Sequence, residues 1–205
     1  RQAIQSMMQN VTRKLDQDEK LTVIKSEHKQ ILTSRSYTTE QVEMIASAQN
    51  ERNCLATQIA YAAGLRAHEI PTLRRIEERI PDKRETHIDK FSYRDGVRYT
   101  VAGKGGLVRE VQIPKELADQ LEKRRLEQPQ KITDRGVNYT VIYDIAGGKN
   151  WSNSFSAAAN RTLNWSAGAH GLRHSYAQER MSELQKSHLY QEALKIVSLE
   201  MGHIR

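Results

Sequence analysis

Apolar residues recur at three- and four-residue spacing along most of this chain and at two-residue spacing in one stretch, and that contrast predicts the elements. Ile4, Met7, Met8, Val11 and Leu15 give residues 1 to about 32 a helical reading, a piece too short to be a domain. Ser34-Arg35-Ser36 reads as a linker, so residues 1–36 are set apart from a main domain over 37–205. Thr38 or Thr39 caps a helix from about Glu40 to Gln49, and a second apolar helix from about Arg52 to Ala63 runs into Gly64. From Gly96 to Pro114 the period changes to two. Val97, Tyr99 and Val101 precede Gly103-Lys104-Gly105-Gly106, and Val108, Val111 and Ile113 follow it, which predicts a β-hairpin with Lys104 at its tip. After Pro114, Leu117, Leu121 and Leu126 mark a helix that ends before Pro129. Helices return from about Asn153 to Asn164, His170 to Leu184 and Leu189 to Glu200. The fold class is mainly α with a small antiparallel β-hairpin or sheet, α+β.

Composition narrows the function. With 205 residues, 38% hydrophobic and 28% charged, the chain can enclose a core, and no apolar run is long enough to span a bilayer. No secretory leader opens the sequence, so it reads as an excised cytoplasmic fragment. The single cysteine, Cys54, excludes a disulfide framework and reads as a buried structural thiol. A net charge of +7 favours a polyanionic partner held through phosphate contacts. Aromatic residues, at 6%, are too sparse for a base-stacking platform, which leaves the backbone of double-stranded DNA as the better partner.

Four short stretches carry candidate chemistry: Gly64-Leu65-Arg66-Ala67-His68-Glu69, Gly103-Lys104-Gly105-Gly106, His170-Gly171-Leu172-Arg173-His174-Ser175-Tyr176-Ala177, and Leu199-Glu200-Met201-Gly202-His203. Together, and in this order, they resemble the signature boxes of the tyrosine recombinase (phage integrase) family: an arginine after Gly-Leu with a carboxylate three residues on, a β-turn lysine, a His-x-x-Arg box, and a Gly-His ahead of the nucleophile. The resemblance implies a catalytic domain of that type, with residues 1–36 as the remnant of a core-binding domain. It also implies a site-specific recombinase that breaks and rejoins double-stranded DNA through a 3′-phosphotyrosyl intermediate. No cofactor or metal is implied, and the expected assembly is a homotetramer on paired sites, associated with the nucleoid. The nucleophilic tyrosine is expected beyond Arg205, since neither Tyr176 nor Tyr190 follows His203.

These residue types suit metal-free phosphodiester exchange. Negative charge grows on the non-bridging oxygens, and Arg66 and Arg173 are the fixed guanidiniums that would clamp them. Lys104 would protonate the leaving 5′ oxygen. His170, three residues before Arg173, shares a helical face with it and addresses the same phosphate. His203 would add a hydrogen bond, while Glu69 and His174 would hold the others in place.

Blander readings are set beside these. Lys104 could be a solvated turn lysine. His170 and His174 are four apart like a metal pair, but the glutamate of His-Glu-x-x-His is missing. Trp151 and Trp165 read as core. The charged stretch from Glu77 to Asp95 is read as a disordered, solvated loop in preference to a DNA-contacting insertion. The alternatives to recombination are a type IB topoisomerase or telomere resolvase, a non-catalytic DNA-binding relative, and a metal-dependent nuclease, which the lack of clustered carboxylates opposes.

Overall fold

The computed structural model describes residues 2–19 and 35–203, in two compact units, Arg1–Ser34 and Arg35–Arg205. In the first, α1 spans Gln2–Asn10. It stops well short of the helix expected from the apolar spacing. Arg13 adopts a left-handed φ of 51°, and the Gln9 side-chain amide donates to the carbonyls of Asp16, Gln17 and Glu19, folding the chain back. Val11 and Leu15 therefore lie past the helix, and the rest of that expectation, 20–32, falls outside the described residues.

The second unit is built around α3 (Glu51–Ala63), which packs against α2 (Thr39–Ser47), α4 (Lys115–Glu122), α5 (Gly148–Leu163) and α6 (Gly171–Leu184). Leu55 and Ile59 supply bulk to the core, and Ala56, Ala60 and Ala63 let the neighbouring helices approach. Thr38 caps α2 in a reciprocal capping box with Gln41, and Asn50 caps α3. α7 (Tyr190–Met201) packs on α6. Trp151 is core as expected, but Trp165 is 41% exposed and lies flat on Tyr37 with ring centroids 5.1 Å apart. Cys54 is only half-buried.

The expected hairpin is present. β2 (Val97–Ala102) and β3 (Val108–Ile113) pair antiparallel from Val97↔Ile113 to Ala102↔Val108, and the two-residue β1 (Arg74–Arg75) adds a third strand beside β2. Tyr99, Val101, Val111 and Ile113 all point into the core.

Two expectations fail here. The helix after Pro114 ends at Glu122, and Leu126 and Pro129 belong instead to β4 (Arg125–Asp134), paired with β5 (Val137–Tyr143) in a second sheet. Pro129 is tolerated because the pairing register shifts between Arg125 and Gln130, where no ladder donor is required. Arg135 and Gly136 turn the hairpin with φ of 51° and 75°, the pair of positive angles that matches strand twist. Asp134 Oδ1 then accepts from the Lys149 backbone N at 3.0 Å, so the hairpin caps the start of α5, where Gly147 has no side chain to do so.

The second failure concerns Glu77–Asp95, which forms no helix or strand and is exposed over 82–86, but is fastened to the domain around Phe91. Phe91 is 4% exposed and its backbone N donates to Glu200 Oε1 at 2.8 Å. Arg94 makes a two-pronged bond to Glu183, 2.7 Å on each side. Lys90 pairs with Glu110, Asp89 with His188, and Glu85 with Lys195. Three of the charges that suggested disorder, Lys90, Arg94 and Glu85, are opposite-sign partners for β3, α6 and α7.

At the entrance to the unit, Ser175 Oγ accepts from Tyr37 N and donates to Tyr37 O, both at 2.8 Å. A Cβ on Gly171 would lie 2.5 Å from the Arg35 carbonyl oxygen, so residues 35–37 run tightly over the first turn of α6.

Phe91→Ala should destabilise the protein by about 3–5 kcal/mol, the ordinary cost of emptying an aromatic site in a core. Urea unfolding checks this; a change below about 0.5 kcal/mol would return the segment to solvent.

Candidate active site

The site assembles around Glu69, a carboxylate with no exposed surface. α3 ends at Gly64, whose left-handed φ of 59° turns the chain out of the helix; a Cβ there would lie 2.8 Å from the Tyr176 ring. The turn brings the Arg66 backbone N to Glu69 Oε2 and the Arg66 guanidinium to Oε1, both at 2.8 Å. A 3₁₀ turn, Ile70–Thr72, follows and buries the chain at once.

Arg109, on β3, completes the carboxylate's shell and was missed in the sequence. Its Nη2 donates to Glu69 Oε2 at 2.7 Å and its Nε to Oε1 at 3.3 Å, while Nη1 reaches the Glu200 carbonyl at 2.7 Å and Nη2 the Gly64 carbonyl at 3.2 Å. One buried guanidinium thus ties β3, the end of α3, and the last turn of α7 together. The available signal was a charged residue at a position of β3 whose side chain faces inward.

Arg173, 1% exposed, donates to the Gly64 carbonyl, to the Met201 carbonyl at 2.9 Å, and lies 3.1 Å from His203 Nε2. Its Nη1 is 3.9 Å from Glu69 Oε2. His203 follows Gly202, which closes α7 with a φ of 67° and lies against Arg109, whose Cδ a Cβ would approach to 2.8 Å. His170 stands immediately before α6 and meets His174 edge to face at 5.3 Å. A cavity of about 220 Å³ between α6 and α7 is lined by His170, Arg173, His174 and His203.

Lys104 belongs to the turn between β2 and β3. The turn opens next to the carboxylate, since a Cβ on Gly103 would sit 3.4 Å from Glu69 Oε1. The structure therefore gathers Arg66, Glu69, Arg173 and His203 through direct contacts, with His170 at the same cavity and the Lys104 backbone turn at the edge. His174 touches His170 and makes no hydrogen bond to an arginine of the group.

Electrostatics at this point are lopsided. Burial alone would raise the Glu69 pKa, but Arg109, Arg173 and the Arg66 backbone N hold it down to about 2. Arg173 is pushed down to about 9 by burial and by the charge of Arg109, and remains charged at neutral pH. Burial and then Arg173 lower His170 and His203 as well. A guanidinium can only donate, so a neutral His203 accepts at Nε2 and carries its proton on Nδ1. Three guanidiniums share one carboxylate, and the surplus positive charge is what an anion would neutralise.

Behind this group, Glu200 is a second buried carboxylate. It accepts from Tyr176 Oη at 2.8 Å, from Arg180 at 3.0–3.1 Å, and from the Phe91 backbone N. Burial and the Glu200 charge raise the Tyr176 pKa, which keeps that phenol protonated. Among the described residues no group of His, Cys, Asp and Glu is placed to hold a metal ion.

The fold, mainly α with small antiparallel sheets, is shared with solved structures of a site-specific recombinase. Two of the solved structures similar to the chain are of the XerH site-specific recombinase. One is a post-cleavage complex with palindromic difH substrate (20% identity, TM-score 0.50, covering 93% of this chain and 55% of that one). The other is a pre-cleavage complex with difH substrate (20% identity, TM-score 0.49, covering 93% and 53%). The chain spans about half the length of each. No family model and no curated protein matches it.

The Glu69 pKa sets a pH dependence. Because its folded pKa lies below the ordinary carboxylate value, its contribution to stability is complete above about pH 4.5 and is lost as pH falls toward about 2. Thermal melting between pH 2 and 6 should show that loss, and Glu69→Gln should flatten it while lowering stability at pH 7 by about 3–5 kcal/mol, the cost of leaving a buried guanidinium without its counter-charge. An unchanged acid limb in Glu69→Gln would assign the transition to other carboxylates.

Proposed function

We propose that this chain is the catalytic part of a site-specific DNA recombinase that breaks and rejoins duplex DNA through a 3′-phosphotyrosyl intermediate. The observation that carries the reading is the convergence of Arg66 and Arg173 on one carboxylate, with His203 against Arg173, leaving net positive charge beside the Lys104 turn. The order of the four boxes and the shared fold support it.

On this reading Arg66 and Arg173 hold the two non-bridging oxygens of the scissile phosphate, and their charge offsets the charge that develops during in-line attack. His203 and His170 donate further hydrogen bonds to the same group. Lys104 delivers a proton to the departing 5′ oxygen, after which the free hydroxyl of the partner strand attacks the phosphotyrosine and the bond energy is conserved without a cofactor. Arg109 touches none of the reacting atoms; it positions Glu69, and through Glu69 the Arg66 guanidinium. The nucleophile is a tyrosine beyond Arg205. Of the eight tyrosines, Tyr37, Tyr61, Tyr99, Tyr143 and Tyr176 are bonded through their hydroxyls to Ala167, Glu179, Glu122, Glu122 and Glu200, and Tyr93, Tyr139 and Tyr190 precede His203 in the sequence. The enzyme acts as a homotetramer on paired sites, which couples assembly to cutting.

Two outcomes check this in a full-length protein. Arg66→Ala should reduce cleavage of a suicide DNA substrate by at least about 100-fold while weakening duplex binding only modestly. Wild-type cleavage by that variant would exclude the clamp. For Lys104, a 5′-bridging phosphorothioate supplies a leaving group that needs no acid. It should restore cleavage to Lys104→Ala far more than to Arg66→Ala; equal rescue would move the acid elsewhere.

A further inference from the structure

Apart from the cavity at Arg173, three arginines line a separate cleft of about 690 Å³. It runs between Ala67-His68, the glycines of the Lys104 turn, and the β4–β5 hairpin. Arg74, Arg79 and Arg135 line it, and none of the three forms an ion pair with a described carboxylate. Arg74 donates to the carbonyls of Leu73 and Thr140. Arg79 donates to the carbonyls of Thr72 at 2.6 Å and Thr100 at 2.8 Å, and to the Thr100 hydroxyl at 3.0 Å. These acceptors are all neutral. Arg135 sits exposed at the hairpin tip. The one acid in the lining, Asp134, is turned to the Lys149 backbone N and to Gly148 at the start of α5.

Two half-buried guanidiniums whose hydrogen-bond partners are all neutral are costly to hold, and Glu78, the carboxylate acting on Arg74, is itself bonded to Arg125. Burial, and then the charge of Arg74, push the Arg79 pKa down to about 10. His68 lies on the same wall, with its Nε2 buried and without a hydrogen-bond partner. Ala67, Ala102 and Val137 give the cleft apolar patches between the charges, as a sugar–phosphate chain would require.

We propose that this cleft binds a backbone phosphate of the same DNA duplex, next to the one held at Arg66 and Arg173. The inference rests on the recombinase reading for the identity of the polyanion. Its geometry follows from position: the cleft begins at the residues after Arg66 and shares the β2–β3 turn with Lys104, so a strand leaving the first phosphate passes directly into it. The β4–β5 hairpin then acts as a wall that closes on the backbone from the side opposite the turn.

The test is the salt dependence of binding to a short mixed-sequence duplex, read by fluorescence anisotropy. Each phosphate contact contributes about 0.9 to the slope of log K against log salt. Arg135→Gln and Arg74→Gln should flatten the slope, together by about that amount, Arg135→Lys should restore its share, and the duplex should shift the side-chain Nε–Hε NMR signals of Arg74 and Arg79. If only Arg66→Gln flattens the slope and both cleft variants keep the wild-type value, the cleft proposal fails and the recombinase reading stands. Absence of any salt-sensitive duplex binding by the wild-type chain would overturn both. Titration with inorganic phosphate separates the remaining source: if it moves the Arg74 and Arg79 signals and the duplex does not, the cleft takes a free anion and the proposal is wrong.

Discussion

Glu69 is a carboxylate withdrawn wholly from water, and in isolation its burial would cost several kcal/mol. Arg109, and Arg66 through both its guanidinium and its backbone N–H, offset that cost by supplying four hydrogen bonds to its two oxygens. The same four bonds fix everything around it. Arg66 is oriented from behind, so its outer nitrogens remain for solvent or a ligand. Arg109 carries the constraint to β3, and so to the turn that bears Lys104, and to the last carbonyls of α7, beside which His203 emerges. Arg173 stands 3.9 Å from the carboxylate and donates its hydrogen bonds to carbonyls, so its charge is only partly offset. A carboxylate shared among three guanidiniums is thus a device for orienting positive charge without neutralising it.

Glu200 repeats the arrangement one layer back. Tyr176 and Arg180 from α6 and the Phe91 backbone from the long charged segment converge on it, so α7, which ends just before His203, is fastened to its neighbour and to an irregular stretch of chain by one buried charge. This explains how a segment without helix or strand can be ordered: its organising contacts are ionic and backbone-mediated, and the only large apolar anchor it contributes is Phe91. Such networks are effective when every member is satisfied, and here Arg94, Arg180 and Glu183 complete the set.

Much of this was legible in the sequence because local chemistry and tertiary structure agree. Thr38, Asn50, Gly64 and Gly202 mark helix boundaries through interactions within a few residues of themselves, and the alternation from Val97 to Ile113 reports a sheet face directly. The boxes around Arg66, Arg173 and His203 named residues that do meet. What was not legible depends on distant partners. Arg109 looks like any strand arginine until Glu69 is folded beneath it. The charges from Glu77 to Asp95 read as solvated because their partners on α6 and α7 lie 89 to 110 residues further on. Leu126 continued a helical spacing, yet Val137, Tyr139, Val141 and Tyr143 alternate, and with the Arg135-Gly136 turn they pull residues 125–134 into a hairpin. A period-two reading of that later stretch would have overruled the helix.

The clasp at Ser175 gives the entry to the domain a mechanical meaning. Tyr37 is bonded through both its backbone N–H and its carbonyl to a hydroxyl one turn along from the His170 and Arg173 pair, and Gly171 leaves no clearance beneath residue 35. Backbone that enters across a helix in this way works as a lever whose short arm is the helix itself. A pull or twist delivered along the chain ahead of Tyr37 would act as torque on the first turn of α6, where the imidazole and guanidinium are aimed, before it was felt elsewhere in the core.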